Sequence, residues 1–219
     1  MTTKRAVDFV CAGLGAVALL PLFALVALAI RLDDGGPVFF RQQRVGRRGE
    51  PFRIWKFRTM TVGAERLGPQ LTVRADPRVT RVGRWLRRYK IDELPQLWNV
   101  LAGEMALVGP RPEVARYVER YTPDQRRVLE CVPGITDPAS LLFRDEASLL
   151  AASDDPERLY LERVMPEKLR LQLAYMEHAT VATDIGIVLR TISRLAVAPR
   201  PRLETTSALS PTPPSGAAP

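Results

Sequence analysis

The chain has 219 residues, of which 32 are Lys or Arg, 24 are Asp or Glu and one is His, so its formal net charge is +8. A hydrophobic fraction of 46% with 26% charged residues excludes a wholly disordered chain. Its two cysteines exclude a disulfide framework and a Cys-rich zinc site. Residues 1–90 carry 18 basic and 6 acidic side chains, whereas residues 91–219 carry 14 and 18. We therefore expect the N-terminal part to meet a polyanion or an anionic membrane surface.

An uncharged apolar run occupies residues 9–30. As a helix, these residues would extend about 33 Å, which is enough to cross a bilayer core of about 30 Å. Three interpretations compete: a spanning helix, a cleaved signal peptide, and a helix that enters one leaflet and returns. The run is longer than the apolar core of about 7–15 residues that is usual in signal peptides.

Pro21 lies near the middle of this run and predicts a kink, because proline removes a backbone hydrogen bond. Basic residues flank the run on both sides, with Lys4 and Arg5 before it and Arg31 after it. Cationic flanks favour the cytoplasmic side of a membrane. Charge alone is compatible with a simple span, but the kink and the two basic flanks together favour a re-entrant helix within residues 1–32.

Residues 33–80 contain signals for a turn, two strands and a loop. The composition of residues 33–37 predicts a turn. Apolar side chains that alternate with cations in residues 38–60 predict short strands that form a ribbon. Glycines and prolines interrupt residues 61–80, which we expect to form a loop.

Most of the remaining chain is predicted to be helical, with residues 133–155 forming a mixed loop region. Leu94, Leu97, Trp98 and Leu101 recur with the spacing of an amphipathic helix. The predicted helices are residues 83–89 with Trp85 and Leu86 on one side, 94–101, 113–131 with a break at 122–123, 156–178, and 180–197 with Ile185, Val188, Ile192 and Leu195 on one face. The sequence thus predicts a mainly helical α+β protein.

Three domains follow from this pattern. Residues 1–32 are predicted to be membrane-embedded, and residues 33–198 to form a small domain with amphipathic helices and the short strand ribbon. Residues 199–219 are rich in Pro, Ser, Thr and Ala and lack a core pattern, so we expect a disordered tail.

Two adjacent carboxylates, Asp92 and Glu93, stand at the start of the predicted 94–101 helix. One interpretation is that Asp92 caps the helix and Glu93 stabilises its first turn. In the other, the pair shares a divalent cation such as Mg²⁺ and one carboxylate acts as a nucleophile toward phosphorus. The spacing alone leaves both interpretations open.

Several cations close to this pair could neutralise phosphates. Arg87 lies just upstream, in a basic run that could equally face solvent or lipid headgroups. Lys56 and Arg58 are two residues apart and would share a face of a strand. Arg111 is held between two prolines, which reduces the entropy lost when its guanidinium binds a phosphate, although the prolines could simply make a rigid helix start.

Taken together and in order, the motifs are those of a known family. Residues 7–60, residues 76–113 (DPRVTRVGRWLRRYKIDELPQLWNVLAGEMALVGPRPE) and the VPGIT segment at residues 132–136 closely resemble bacterial sugar transferases, the small monotopic phosphoglycosyl transferases that act on polyprenyl phosphate. The resemblance is strong over residues 4–136, weakens over 137–197 and ends by 199.

The resemblance implies an activity. In the family, a sugar-1-phosphate passes from a nucleotide diphosphate sugar, usually a UDP-sugar, to undecaprenyl phosphate, with release of UMP. It implies that Asp92 is the nucleophile and that Glu93 helps to hold Mg²⁺. Lys56, Arg87 and Arg111 match positions that the family uses around the phosphates; Arg58 is our own addition. Pro21 matches the proline that breaks the re-entrant helix. The resemblance also implies that residues 33–198 are a small cytoplasmic catalytic domain whose amphipathic helices are interfacial.

Expected partners are the nucleotide-sugar donor, the polyprenyl-phosphate acceptor and membrane lipids at the cytoplasmic face of a bacterial inner membrane, with a homodimer as one option for assembly. Competing functions are a nucleotide-sugar pyrophosphatase and a basic membrane-surface or nucleic-acid-binding adaptor. No nucleic-acid recognition motif is evident in the sequence, so we expect no nucleic-acid partner.

Two departures from the family pattern concern the kink and the donor pocket. Leu20 precedes the kink proline where the family often has Ser. The chain continues after Thr136 with DPASLLFRDEASLL instead of the Gly and aromatic-Gln-Val stretch of many members. The identity of the sugar is therefore not implied.

Overall fold

A computed structural model describes residues 3–68, 71–73 and 75–195 of the protein. The fold is α+β and mainly helical, as predicted. The α-helices are α1 Thr3–Ala18, α2 Leu20–Asp34, α3 Arg81–Arg88, α4 Leu97–Ala102, α5 Ala115–Val118, α6 Pro138–Leu142, α7 Glu146–Ala151, α8 Pro156–Leu159, α9 Met165–Glu177 and α10 Val181–Leu195, and the strands are β1 Phe39–Val45, β2 Pro51–Phe57, β3 Ala106–Val108 and β4 Gly134–Thr136. The predicted tail, residues 199–219, lies outside the described residues, as do residues 69, 70 and 74 of the predicted loop.

The apolar N-terminal run forms two helices that meet at an angle of 58°. The break falls at Leu19, and Pro21 sits in the first turn of α2, where its missing N–H leaves no hydrogen bond unmade. The predicted kink is confirmed. No helix within the described ranges is by itself long and apolar enough to cross a membrane, but α1 and α2 together have the required length and composition.

Helix α2 extends to Asp34 and ends at Gly35, whose φ of +70° suits a glycine. The prediction of a turn over residues 33–37 was therefore wrong for its first two positions. Both acids are held by tertiary contacts that the local sequence does not reveal: Asp33 accepts a hydrogen bond from the amide of Val82 at 3.0 Å, and Asp34 pairs with Arg58.

One face of the bent helix pair packs on the rest of the protein along its whole length. Helix α1 approaches α4 through the small residues Ala12 and Ala16, and α2 buries Phe23, Val26 and Ile30. The opposite face is apolar and exposed, and consists of Phe9, Val10, Leu14, Val17, Leu20, Leu25, Leu28 and Leu32. Because both arms contact the same globular body, both ends of the pair lie beside it.

Strands β1 and β2 form the predicted ribbon. They pair antiparallel, from Phe39 opposite Phe57 to Val45 opposite Pro51. Strand β2 then packs on a 3-10 segment, Ile91–Gln96, and this contact is fixed by Asn99 of α4. The buried Asn99 amide accepts a hydrogen bond from the Trp55 amide and donates one to the Arg53 carbonyl, both at 2.9 Å, so it continues the hydrogen bonding of the β2 edge.

Strands β3 and β4 form a second, parallel pair that the sequence did not predict. Each has only three residues, which is too short for a periodic pattern. The pair brings Gly109 and Gly134 so close that a Cβ on Gly134 would lie 2.1 Å from the Gly109 nitrogen. The prediction of a mixed loop over residues 133–155 was wrong where β4, α6 and α7 form, and the predicted 113–131 helix is only α5 and a 3-10 turn, Gln125–Glu130.

The positions of the C-terminal helices in the sequence were predicted more accurately than the environment of their apolar faces. Residues 156–177 are continuous through α8, a π-helical turn and α9, and α10 follows. The predicted apolar face of α10 is exposed, since Ile185 and Ile192 are more than half accessible, and the helix buries Asp184 and Ile187 instead. In α3, Leu86 is buried but Trp85 is half exposed, so the two do not share an environment.

Candidate active site

A large solvent-open cavity of about 1630 Å³ lies between the β1–β2 ribbon, α3, α6 and α9. Every phosphate-binding and catalytic residue predicted from the sequence lines it, namely Lys56, Arg58, Arg87, Asp92, Glu93 and Arg111. The residues come from four separate stretches of the chain. The structure therefore brings the predicted set to one place, and their contacts distinguish their roles.

The backbone turns into the 3-10 segment at Lys90, whose φ of +58° is unusual for a residue with a side chain. Lys90 occupies the N-cap position, and no side chain caps the segment. The interpretation of Asp92 as a helix N-cap was therefore wrong. Asp92 and Glu93 instead occupy the first turn of the segment, where the tertiary contacts of β2 hold them at the cavity wall.

The two adjacent carboxylates have different partners. Glu93 Oε1 accepts a hydrogen bond from Nη2 of Arg111 and lies 3.5 Å from Nζ of Lys56. Burial alone would raise the pKa of Glu93, but Arg111, Lys56 and Lys90 outweigh it and hold that pKa well below its usual range. Glu93 is therefore a fixed anion that organises two cations.

Asp92 is 6% exposed, and its Oδ1 atom is buried without a hydrogen-bond partner among the residues that the structure describes. Burial raises the pKa of Asp92, the charge of Glu93 raises it further, and Lys56, Lys90 and Arg87 oppose the shift. A buried acceptor without a partner is costly in a folded protein. This oxygen is thus the feature of the site that most clearly awaits a ligand.

Lys56 and Arg111 face the cavity beside Glu93. Burial lowers the pKa of Lys56 to about 8, although Glu93 partly compensates. For Arg111, burial also disfavours the charge, but the Glu93 carboxylate reverses this and raises the pKa. Arg111 is fixed further by its backbone N–H, which donates to Asp137 Oδ2 at 3.0 Å, and by its Nη1, which donates to the Ile135 carbonyl at 3.2 Å.

Arg87 is positioned by the close packing of α3 against Thr59, two residues after the end of β2. Its Nε donates to Thr59 Oγ1 at 2.8 Å, and burial lowers its pKa. Gly83, one turn earlier, lies so close to Thr59 that a Cβ there would be 2.1 Å from the Thr59 carbonyl oxygen. A glycine is required at this position to bring Arg87 to the cavity.

Arg58 differs from the other cations because its donors are already engaged. Its guanidinium pairs with both carboxylate oxygens of Asp34, while Nε donates to the Pro37 carbonyl at 2.6 Å and Nη1 to the Met60 carbonyl at 3.0 Å. It is only 6% exposed. This geometry favours a structural role, in which Arg58 joins the end of α2 to the end of β2, over the predicted phosphate contact.

Sequence reasoning missed Asp137, which is fully buried and holds the Arg111 loop against two helices. Besides the Arg111 amide, its carboxylate accepts hydrogen bonds from the Ser140 amide and from Gln172 Nε2 at 2.6 Å. The signal that could have found it is the Asp137-Pro138 pair, which is typical of a helix N-cap followed by a first-turn proline.

The donor atoms around Asp92 fit a hard cation only in part. No group of three or more His, Cys, Asp or Glu residues that could hold a metal occurs in the described ranges. The free Oδ1 of Asp92 is a suitable oxygen ligand for Mg²⁺, which is usually bound by one or two carboxylates together with substrate phosphates. Because Glu93 is already bound to Arg111, the described residues would offer magnesium one free carboxylate oxygen, and a phosphate substrate would have to supply further ligands.

A buried carboxylate pair and several cations face an open cavity, and the α1–α2 pair has an exposed apolar face. This combination is typical of the class of proteins that handle phosphates at a membrane surface. The sequence profile described as "Bacterial sugar transferase" matches residues 1–198. The chain belongs to the bacterial sugar transferase family.

The chain is similar to several named relatives. It is 40% identical over 205 residues to an undecaprenyl-phosphate glucose phosphotransferase of Komagataeibacter xylinus, with 89% of this chain and 36% of the relative aligned. It is 39% identical over 197 residues to a UDP-glucose:undecaprenyl-phosphate glucose-1-phosphate transferase of Caulobacter vibrioides (88% and 69%). It is 33% identical over 205 residues to the exopolysaccharide production protein ExoY of Sinorhizobium fredii (87% and 84%). The chain thus spans about a third of the first relative and most of the other two.

Proposed function

We propose that the protein transfers a sugar-1-phosphate from a nucleotide diphosphate sugar, most simply a UDP-sugar, to undecaprenyl phosphate and releases UMP. The observation that carries this proposal is Asp92, a buried carboxylate with an unpartnered oxygen beside a neighbour whose charge is fully engaged. The names of the relatives supply the substrate classes. Such transfer would start the assembly of a polysaccharide or glycoconjugate on a lipid carrier.

In the first step, a carboxylate oxygen of Asp92 attacks the phosphorus next to the sugar. A bond forms between that oxygen and phosphorus, and the bond from phosphorus to the bridging oxygen breaks. UMP leaves with the electron pair of that bond, and the sugar phosphate remains on Asp92 as an acyl phosphate. Lys56 and Arg111 neutralise the charge that develops on the phosphate oxygens, and Glu93 keeps both cations in place.

In the second step, a phosphate oxygen of the lipid attacks the same phosphorus. The new bond joins the lipid phosphate to the sugar phosphate, and Asp92 is released as a carboxylate. A covalent intermediate suits this protein because one cavity can then serve a soluble donor and a membrane-bound acceptor in turn.

Magnesium is proposed as the cofactor, held by Asp92 and Glu93 together with the substrate phosphates. When bound, it would neutralise phosphate charge and favour departure of the nucleotide. Asp92 contributes the free Oδ1 atom, whereas Glu93 is already bound to Arg111, so we expect Asp92 to be the principal protein ligand.

We place the protein at the cytoplasmic face of a bacterial inner membrane, with α1 and α2 entering and leaving the same leaflet. Both arms of the bent pair pack on the globular body, which a helix that crossed the bilayer could not do along its whole length. Tags at either end should therefore be protected from external labelling in intact spheroplasts. Labelling of an N-terminal tag alone would show a span instead.

The proposed reaction is tested by UMP release from a panel of UDP-sugars, with and without undecaprenyl phosphate. Sustained turnover should require the lipid, and a single equivalent of UMP should appear without it. A nucleotide-sugar pyrophosphatase would turn over without lipid, and an adaptor would release no UMP. A homodimer stays a prediction, which the mass of the protein in detergent would test.

A further inference from the structure

A second group of cavity residues lies around α6, apart from Asp92 and Glu93. Ser140 lies on α6, Arg144 follows its C-terminal end, and Arg194 of α10 donates a hydrogen bond to the Leu141 carbonyl at that same end. All three line the cavity that contains Asp92. None of them has a role in the transfer steps described above.

Three polar atoms of this group are buried and unsatisfied. Nε and Nη2 of Arg144 and Oγ of Ser140 have no hydrogen-bond partner within the described residues. The Arg144 side chain as a whole is only partly buried, but these two nitrogen atoms are inaccessible to solvent. A buried donor without a partner costs free energy. All three atoms belong to residues 140–144, which line the same cavity, and an acceptor from a ligand in that cavity could satisfy them.

The nearby carboxylates offset the charge of Arg144 only in part. Glu146 forms an ion pair with Lys168 at 2.7 Å, and Asp145 attracts Arg144 without forming an ion pair with it among the described residues. Arg194 adds a second positive charge, and burial together with this repulsion lowers the pKa of Arg144. Two cations that repel each other in a cavity favour binding of an anion between them.

The group is connected to the Asp92 site through Asp137. One carboxylate binds the backbone N–H groups of both Arg111 and Ser140, so α6 begins beside Arg111. Helix α6 has five residues and is therefore about 7.5 Å long at about 1.5 Å per residue. Arg144 lies one such helix away from the Arg111 loop, within the same cavity.

We propose that Ser140, Arg144 and Arg194 form a second phosphate-binding subsite, separate from the phosphate that reacts at Asp92. Guanidinium donors and a hydroxyl match the oxygens of a phosphate monoester or diester. Two substrates of the proposed function carry such a group: the nucleotide of the donor and the lipid phosphate of the acceptor. The choice of these two molecules as ligands rests on the proposed function. Binding of a phosphate group to the subsite can nevertheless be measured without turnover.

The test measures binding by the full-length protein in nanodiscs. UMP is titrated calorimetrically, with uridine as the ligand that lacks phosphate, and binding of a short-chain polyprenyl phosphate is measured separately. The variants are Arg144→Gln, which removes the charge, Arg144→Lys, which retains it, and Ser140→Ala, which removes an unsatisfied hydroxyl. Arg126→Gln is the matched control, since Arg126 is exposed and does not line the cavity.

We expect Arg144→Gln to weaken binding of one phosphate ligand by about tenfold or more, since hydrogen bonds to a charged group are worth that much. Ser140→Ala should lower the affinity for the same ligand several-fold, with an unchanged melting temperature. Arg144→Lys should retain part of the affinity that Arg144→Gln loses. A lower affinity for UMP with an unchanged affinity for uridine would assign the subsite to the nucleotide. A lower affinity for polyprenyl phosphate alone would assign it to the acceptor.

Unchanged affinity for both phosphate ligands in Arg144→Gln and Ser140→Ala would overturn the subsite. Failure of the proposed function has a different signature, because UMP release would then be absent from the wild type while UMP binding and its loss in Arg144→Gln could still be measured. A fall in affinity that also occurs in Arg126→Gln would likewise overturn the assignment.

Discussion

Two walls of one cavity carry similar cations that differ in whether a carboxylate of the protein pairs with them. At the Ile91–Gln96 segment, Lys56 and Arg111 both face Glu93. Around α6, Arg144 faces no carboxylate within ion-pair distance in the described part of the chain. The paired cations are positioned by the protein before any substrate binds, whereas Arg144 is left for a ligand to neutralise. Asp92 is the counterpart of Arg144 on the first wall, because it too has a buried atom without a partner.

The largest effect is expected at Asp92, the proposed nucleophile on the first wall. Asp92→Asn keeps the shape but removes the nucleophile, so UMP release should fall by about three orders of magnitude or more. Steady-state UMP release with saturating UDP-sugar and lipid measures this. Activity within tenfold of the wild type would remove Asp92 from the mechanism.

Substitution of Arg58 tests whether this residue is structural or belongs to the phosphate-binding residues of the first wall. Because its donors are engaged by Asp34 and two carbonyls, Arg58→Ala should lower the free energy of unfolding by about 3 kcal/mol, the cost of leaving a partly buried charge without its partner. Asp34→Ala should cost a similar amount, and the double variant should cost much less than the two single losses added together.

The stability of Arg58→Ala is measured by denaturant unfolding, alongside the donor KM at a temperature where the variant is folded. We expect KM to remain within about threefold of the wild type. A variant with normal stability and a donor KM raised more than tenfold would restore Arg58 to the phosphate-binding residues.

Substitution of Glu93 tests whether its negative charge positions Lys56 and Arg111 on the first wall. Glu93→Gln removes the anion that holds Arg111 and Lys56, and we expect kcat to fall by about 10- to 100-fold. The charge of Glu93 also contributes to the raised pKa of Asp92. Its removal should therefore shift the acidic limb of the pH–rate profile to lower pH, because Asp92 would then ionise more readily. An unshifted limb would show that the two carboxylates are not coupled.

The smallest effect concerns the alkaline limb of the same profile. Burial lowers the pKa of Lys56 to about 8, so the lysine is charged below that pH and loses its proton as the pH rises through it. Donor KM should therefore rise several-fold between pH 7 and 9. In Lys56→Arg the guanidinium stays protonated, and the rise should disappear. The control Arg126→Gln should follow the wild-type curve.

Local patterns predicted the elements whose burial repeats along the chain. The β1–β2 ribbon and the long helix over residues 156–177 have such a pattern, whereas the kink was predicted from Pro21 alone. The parallel β3–β4 pair does not, because two three-residue strands are specified by the contact of Gly109 with Gly134, which are far apart in sequence. The 113–131 segment satisfies helical spacing, but its buried Tyr117, Tyr121 and Val128 are accommodated in short turns.

The residues of the site likewise fall into those that sequence motifs predicted and those that only tertiary contacts reveal. Asp92, Glu93, Lys56, Arg87 and Arg111 stand in motifs, and the structure brings all five to one cavity. The role of Arg58 depends on its contact with Asp34, which sequence spacing does not show. Ser140 and Arg144 fall in a stretch that was predicted as a loop, and only their unsatisfied buried atoms single them out.

The most direct test of the central claim is intact-protein mass spectrometry after incubation with a UDP-sugar in the absence of lipid. The account predicts a mass increase of one sugar phosphate on the wild type, located on the peptide that contains Asp92, and its disappearance on addition of undecaprenyl phosphate. Asp92→Asn should show no increase, and Arg126→Gln should behave as the wild type. Lipid-linked product formed by a wild-type protein that never carries the sugar phosphate would contradict the account.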